Sequence, residues 1–247
     1  MVANKSKRLD AIFFDIDDTL YPTSALTTEA RTNSVHAMIK HGLNLPFDDI
    51  WRELSEIIVE FSSNFNQHFD KLLLRLPKSS YKNINPATIV AAAVSAYHDV
   101  KIKKLHPFED VTEVLKLLQH SGFILGVISD GLAVKQAEKL VRMQLLSYFN
   151  SRAIFISGQI GISKPNPKLY LRVCSDMNLS PVNCMYVGDN PLNDVDPPNE
   201  SGMITVFSAR AGKYTGVKSK SDPDYRIDNF WDLTDILKND YGIDIPE

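Results

Sequence analysis

Short, continuously apolar segments separated by helical patterns limit most strongly how this chain can fold. Five segments have strand length and contain β-branched or aromatic residues; they cover residues 11–14, 123–128, 153–156, 184–187 and 203–207. A strand that alternates apolar and polar residues suits a sheet with one face in water, whereas a continuously apolar strand needs both faces covered. The pattern therefore predicts a parallel sheet with helices on both faces.

Helical patterns fill the intervals between these strands. They cover residues 111–120, 135–146 and 167–177, and the last begins with Pro167, whose missing N–H costs nothing in a first helical turn. Alternating strands and helices require right-handed crossovers. We predict an α/β fold with a Rossmann-like, doubly wound parallel sheet.

One long segment, residues 23–105, breaks the alternation. It contains helical patterns at 27–41, 47–65 and 72–76 and another opened by Asn85-Pro86, but no convincing strand. We therefore predict a sheet-containing core formed by residues 1–22 and 106–247, with an inserted all-α cap over residues 23–105. Inserted directly after the first strand, such a cap is expected to act as a lid over the sheet edge.

Composition narrows the range of partners. The net charge of −3 provides no general attraction to nucleic acid or acidic membranes, and two cysteines are too few for a disulfide framework. The chain has no apolar run near the ~20 residues of a membrane helix, and its first eight residues are polar and basic. We expect a cytoplasmic protein without nucleic-acid or membrane partners. Monomer and homodimer remain open.

Carboxylates follow two of the predicted strands. Asp15 ends the first strand, and Asp17 is placed to point the same way, since residues two apart in an extended segment share a face. Asp189 follows the strand at 184–187, and Asp194 lies slightly further along. Oxygen-only ligands that repel one another suit Mg²⁺, which predicts a metal site at this sheet edge. Solvated turns and helix caps are the alternative, and for Asp194 that alternative is nearly as strong.

Groups suited to phosphate occur at the same predicted edge. Ser129, Asp130 and Gly131 end the second strand, where a hydroxyl and backbone N–H groups can bind phosphate oxygens. Lys164 precedes two prolines at a helix start and could neutralise both acids and phosphate. A glycine turn and a surface lysine are the ordinary explanations of these residues taken singly.

Taken in order, these motifs resemble the phosphatase branch of the haloacid dehalogenase (HAD) superfamily of hydrolases. That branch shows Asp-x-Asp-x-Thr, a strand ending in Ser or Thr, Lys-Pro, and Gly-Asp followed by another Asp. The segment from Asp18 to Pro22 and the helix at 27–41 look closest to an archaeal-type subgroup of small-phosphate phosphatases, including members assigned to glyceraldehyde 3-phosphate. Two departures are Asp130, where the family often has Asn, and Pro197-Pro198, which should distort the helix after Asp194.

The resemblance implies a role for each residue. Asp15 would be the nucleophile that forms an aspartyl-phosphate, and Asp17 would protonate the leaving oxygen and then activate water. Magnesium would be held by Asp15, the backbone carbonyl of Asp17, and Asp189, with Asp194 binding it directly or through water. The phosphoryl group would be positioned by Thr19, Ser129 and Lys164, beside Asp130 and Gly131. The expected substrate is a small phosphorylated metabolite.

Other activities occur on the same fold. A phosphomutase needs a cap that holds a bisphosphate intermediate, and a phosphonate hydrolase needs a cap lysine that forms a Schiff base. The insert offers Lys40, Lys71 and Lys82 without a distinctive setting. A non-catalytic binding protein would have lost a nucleophile or metal ligand, and every such position is intact.

Overall fold

The computed structural model describes residues 8–62 and 65–245. The chain forms two compact units, one of residues 1–24 and 106–247 and the other of residues 25–105. Within the described residues, no helix is both long and apolar enough to cross a bilayer.

The first unit is built on a parallel sheet of six strands in the order β3-β2-β1-β4-β5-β6. The strands are β1 (Ala11–Phe14), β2 (Ile124–Ser129), β3 (Ile154–Ile156), β4 (Cys184–Gly188), β5 (Ile204–Ser208) and β6 (Tyr225–Ile227). All four residues of β1 and all five of β4 are buried, which explains why these strands are apolar throughout. The predicted α/β class and doubly wound parallel sheet are confirmed. The edge strand β6 was not predicted.

Helices lie between the strands of this unit and after its last strand. They are α5 (Val111–His120), α6 (Ala133–Arg142), α7 (Ser157–Ile160), α8 (Pro167–Asp176), α9 (Asp196–Glu200) and α10 (Trp231–Tyr241). The predicted bounds of α5 match the structure, whereas α6 begins and ends earlier than the predicted 135–146. Helix α8 begins at Pro167, and the Asn166 side chain accepts a hydrogen bond from the Lys168 N–H at 3.0 Å.

The second unit consists of helices with a core of its own. They are α1 (Thr23–Lys40), α2 (Phe47–Phe61), α3 (His68–Arg75) and α4 (Pro86–Lys104). The apolar core is formed by Val35, Met38, Leu43, Ile50, Leu54, Ile57, Leu72, Leu73, Leu76, Ile89 and Ala93. Helix α2 is shorter than predicted, because Ser62 adopts a positive φ of 64°. Residues 63 and 64 of that predicted helix lie outside the described residues.

Strand register determines which residues meet at the carboxyl edge of the sheet. Phe14 is opposite Val127 of β2 and Val187 of β4. The Asp15 N–H continues this pairing by donating to the Val187 carbonyl oxygen at 2.9 Å. The residues that follow strands β2, β1 and β4 therefore collect at one edge of the sheet, where open α/β sheets bind ligands.

Candidate active site

Lys164 joins two carboxylates in the interior of the sheet unit. Its Nζ atom lies 2.7 Å from Asp15 Oδ1 and 2.7 Å from Asp194 Oδ1. The Lys164 and Asp194 side chains are only 3% and 2% exposed. Burial lowers the pKa of Lys164, but the charges of Asp15 and Asp194 outweigh that effect and raise it well above its usual value. The lysine is therefore a fixed positive charge.

Asp194 is oriented by groups on three sides. Asn190 N–H donates to its Oδ2 at 3.0 Å, and the Tyr186 hydroxyl lies 3.2 Å from its Oδ1. The absence of a side chain at Gly188 makes room for it, since a Cβ there would lie 2.4 Å from Asp194 Cγ. Asp194 itself sits in a π-helical turn, Pro191–Val195, and the short α9 follows. The predicted distortion of this helix start is present, and it leaves Asp194 buried at the site.

Asp189 completes a cluster of three buried acids. One carboxylate oxygen from each of Asp15, Asp189 and Asp194 lies within 4.8 Å of the other two. Asp189 Oδ2 is buried and has no hydrogen-bond partner among the described residues. Burial, together with the charges of Asp194 and Asp15, raises the pKa of Asp189 to about 9. An unpartnered carboxylate oxygen beside two further acids fits a divalent cation that prefers oxygen ligands.

The position of Asp15 explains why its charge is costly in the absence of a cation. Burial, with the charges of Asp194 and Asp17, raises the pKa of Asp15 to about 7, although Lys164 opposes the rise. A carboxylate attacks only when it is ionised. A cation held beside Asp15 would therefore favour the reactive form.

Asp17 is bound by a different set of side chains. Lys139 Nζ lies 2.5 Å from its Oδ1 and 2.7 Å from its Oδ2, and Gln136 Nε2 donates to Oδ2 at 3.1 Å. Tyr21 and Thr23 hydroxyls donate to Oδ1 at 2.8 and 2.7 Å. Burial would raise the pKa of Asp17, but Lys139 and these hydrogen bonds lower it to about 2. The Asp17 side chain is thus not one of the three clustered acids.

The four partners of Asp17 were not identified from the sequence. Lys139 and Gln136 are three positions apart on α6, and Tyr21 and Thr23 are two apart before and at the start of α1. Spacings of three on a helix and two in an extended segment put residues on one face. Nothing in the sequence shows, however, that both faces meet the same carboxylate.

The groups predicted to bind phosphate take two kinds of position. Thr19 and Ser129 are buried, and Thr19 Oγ1 has no hydrogen-bond partner within the described residues. Gly131 has a φ of 130°, and its N–H donates to Ser157 Oγ at 3.0 Å. Asp130 Oδ1 instead accepts hydrogen bonds from Ser163 Oγ at 2.9 Å and from the Lys164 N–H at 3.1 Å. The Asp130 carboxylate therefore holds the segment that carries Lys164.

Comparison with known proteins shows the family of the chain. Residues 12–207 match the family model described as haloacid dehalogenase-like hydrolase. The chain belongs to the haloacid dehalogenase-like hydrolase family. The resemblance expected from the four motifs is confirmed.

Two relatives illustrate this membership, and one solved structure shares the fold. The chain is 41% identical to a glyceraldehyde 3-phosphate phosphatase of Methanopyrus kandleri, over 93% of this chain and 97% of that one. It is 37% identical to a glyceraldehyde 3-phosphate phosphatase of Pyrococcus furiosus, over 96% and 97%. A crystal structure of a HAD phosphatase from Thermococcus onnurineus is 23% identical, with a TM-score of 0.68 over 96% of this chain and 100% of that one. This chain is an enzyme of the family's phosphatase branch.

Proposed function

We propose that this phosphatase hydrolyses small phosphate monoesters with Mg²⁺, through an aspartyl-phosphate on Asp15, and that glyceraldehyde 3-phosphate is among its substrates. The observation that carries the mechanism is the buried cluster in which Lys164 bonds Asp15 and Asp194 while Asp189 keeps an unpartnered oxygen. The substrate is proposed because the relatives above, alike over nearly their whole lengths, bear that name.

In the first step Asp15 attacks phosphorus and the ester oxygen leaves. Lys164, already bonded to Asp15, is placed to neutralise charge on the phosphoryl oxygens. The Thr19 hydroxyl, buried without a partner among the described residues, can donate to one of those oxygens. The Ser129 hydroxyl, at the end of β2, is a second donor for the phosphoryl group. Phosphoryl transfer depends mainly on such positioning and charge neutralisation.

Asp17 moves the protons in both steps. An alkoxide leaving group needs a proton as its bond to phosphorus breaks, and the water that later attacks the aspartyl-phosphate must lose one. A single carboxyl group near the nucleophile can perform both transfers in turn. Despite burial, Lys139 holds the pKa of Asp17 at about 2 in the free protein, so Asp17 would act as the acid only once the negative charge of the bound phosphate has raised that pKa. Splitting the reaction at a covalent intermediate replaces one difficult step by two easier ones.

The three clustered acids would hold the metal. Asp15 and Asp189 offer direct ligands, and Asp194 a direct or a water-mediated one. A bound Mg²⁺ would supply positive charge that offsets both the repulsion among these acids and the charge of the phosphate. The backbone carbonyl of Asp17 is the remaining ligand that we propose.

The nucleophile is tested with Asp15→Asn, which keeps the side-chain size but removes the attacking charge. We expect no turnover of glyceraldehyde 3-phosphate or p-nitrophenyl phosphate and an unchanged circular dichroism spectrum. Acid-quenched wild-type protein should carry one phosphoryl group on the peptide containing Asp15, detected by mass spectrometry. Near wild-type turnover by the variant would refute the mechanism.

Metal and substrate are tested with the wild-type protein. Activity should disappear on exhaustive chelation and return with Mg²⁺, while Ca²⁺ should restore little, since its looser coordination misplaces the nucleophile. Comparing kcat/KM for glyceraldehyde 3-phosphate, a nucleotide and a phosphoprotein tests the substrate class. Full activity after chelation would contradict the proposed requirement for Mg²⁺. A phosphoprotein hydrolysed as well as the best small ester would contradict the proposed substrate class.

A further inference from the structure

Helix α6 presents two side chains to Asp17. Lys139 Nζ lies within 2.7 Å of both carboxylate oxygens, at 2.5 Å from Oδ1 and 2.7 Å from Oδ2. Gln136 Nε2 donates to Oδ2 at 3.1 Å and also to the Asp130 carbonyl oxygen. Gln136 therefore connects the loop after β2 to the carboxylate that Lys139 bridges.

The chain segment that follows Asp17 supplies the other contacts. The Tyr21 and Thr23 hydroxyls both donate to Asp17 Oδ1, at 2.8 and 2.7 Å. Lys139 Nζ also lies 5.7 Å from the centre of the Tyr21 ring, within the range of a cation–π interaction. The two Asp17 oxygens are thus surrounded by donors from two elements far apart in sequence.

This arrangement restricts the orientation of Asp17. A cation that reaches both oxygens opposes rotation of the carboxylate. The neutral donors then fix its two oxygens in place, with Oδ1 held toward Tyr21 and Thr23 and Oδ2 toward Gln136. Lys139 is largely enclosed, with its side chain 15% exposed, so little water can replace it. A second lysine of the site, Lys164, bonds Asp15 and Asp194 instead. Each lysine therefore serves its own acids.

We propose that Lys139 is a positioning residue for the reaction, which holds Asp17 in the orientation from which that residue transfers protons. Lys139 acts through Asp17 and makes no contact of its own with the phosphoryl group. The inference rests on the proposed function, in which Asp17 serves as the acid and base. Proton transfer is effective only when the carboxylate is within hydrogen-bond reach of the reacting oxygen, so a misoriented carboxylate accelerates the reaction much less.

A purely structural Lys139 would behave differently. If it only neutralised a partly buried carboxylate, its removal would lower stability and slow every substrate by the same factor. A positioning role predicts unequal losses instead. Glyceraldehyde 3-phosphate releases glyceraldehyde as an alkoxide that needs a proton, whereas p-nitrophenyl phosphate releases p-nitrophenolate, which needs none.

The experiment compares Lys139→Met and Lys139→Arg with wild type and with Lys116→Met, which removes an exposed lysine on α5. We expect Lys139→Met to reduce the first-turnover release of glyceraldehyde from glyceraldehyde 3-phosphate roughly 10- to 100-fold, which is less than the ~100- to 10,000-fold that acid–base catalysis typically contributes. First-turnover release of p-nitrophenolate should fall only a few-fold, followed by slow steady turnover as the aspartyl-phosphate awaits an activated water. Lys139→Arg should recover most of the loss, since arginine can also bridge both oxygens. KM should change little.

The outcomes separate this inference from the proposed function. Equal losses in the first-turnover release of glyceraldehyde and of p-nitrophenolate, or no loss, with wild type and Lys116→Met active, would overturn the positioning role alone. No magnesium-dependent hydrolysis by wild type or Lys116→Met would overturn the proposed function, and the inference with it. If Lys139→Met fails to fold, Lys139→Gln and Lys139→Arg carry the same two-ester comparison, with circular dichroism as the folding control.

Discussion

Replacing Asp189 should stabilise the metal-free protein even though it damages the site. The Asp189 side chain is buried, and burial with neighbouring acids raises its pKa from 3.8 to about 9. At pH 7 the folded protein therefore binds a proton that the unfolded chain has released. Between pH 4 and pH 9 this difference makes the free energy of unfolding fall as the pH rises.

The size of the effect follows from the number of pH units between the pKa of Asp189 in the unfolded chain and pH 7. At about 1.4 kcal/mol for each pH unit, the interval from 3.8 to pH 7 corresponds to about 4 kcal/mol. Asp189→Asn is neutral at every pH and removes this contribution. We expect the variant to be more stable than wild type by about 2–4 kcal/mol at pH 7, allowing for partial relaxation of the site, and equal to it near pH 3.

Urea denaturation in the presence of a chelator measures this difference. The chain has one tryptophan in each compact unit, Trp51 and Trp231. In a Trp51→Phe background, Trp231 fluorescence reports the unfolding of the sheet unit alone. Adding Mg²⁺ should then favour the parent protein over Asp189→Asn, because a cation that binds only the native state stabilises it.

An exposed acid provides the matched control. Asp235 lies exposed on α10, and Asp235→Asn should change stability by less than about 0.5 kcal/mol at any pH. If Asp189→Asn is no more stable than its parent at pH 8 without metal, or if the difference does not grow with pH, the cluster is not strained in the way argued above.

Three further predictions concern close packing, a buried ion pair and proton transfer. Gly188→Ala should lower stability by about 1–3 kcal/mol and reduce kcat strongly, because its Cβ would lie 2.4 Å from Asp194 Cγ; unchanged kinetics would contradict the close fit. Arg210→Met should lower the free energy of unfolding by about 3–5 kcal/mol, measured by urea denaturation, because Arg210 NH2 bonds both oxygens of the largely buried Asp110 at 2.8 Å. Asp17→Asn should slow the first-turnover release of glyceraldehyde from glyceraldehyde 3-phosphate roughly 100- to 10,000-fold and that of p-nitrophenolate less, and equal losses would limit Asp17 to a structural or metal-binding role.

The sequence determined the elements whose signals are local. Continuous apolar runs predicted five of the six strands, because a strand buried on both faces must be apolar at every position. The exception is β6, where Tyr225–Ile227 has only three residues and an exposed Arg226 in the middle. A short edge strand buries too little surface to show a continuous apolar pattern. Its strand conformation depends on pairing with β5.

The candidate site divides in the same way. Asp15, Asp189 and Lys164 could be named from the sequence, because each stands at the end of a strand or the start of a helix with a recognisable pattern. Only the tertiary structure paired Lys164 with Asp194 and Lys139 with Asp17, residues 30 and 122 positions apart. Such pairings depend on how crossovers bring distant elements together. Side-chain periodicity fixes the face of an element, but packing decides what that face meets.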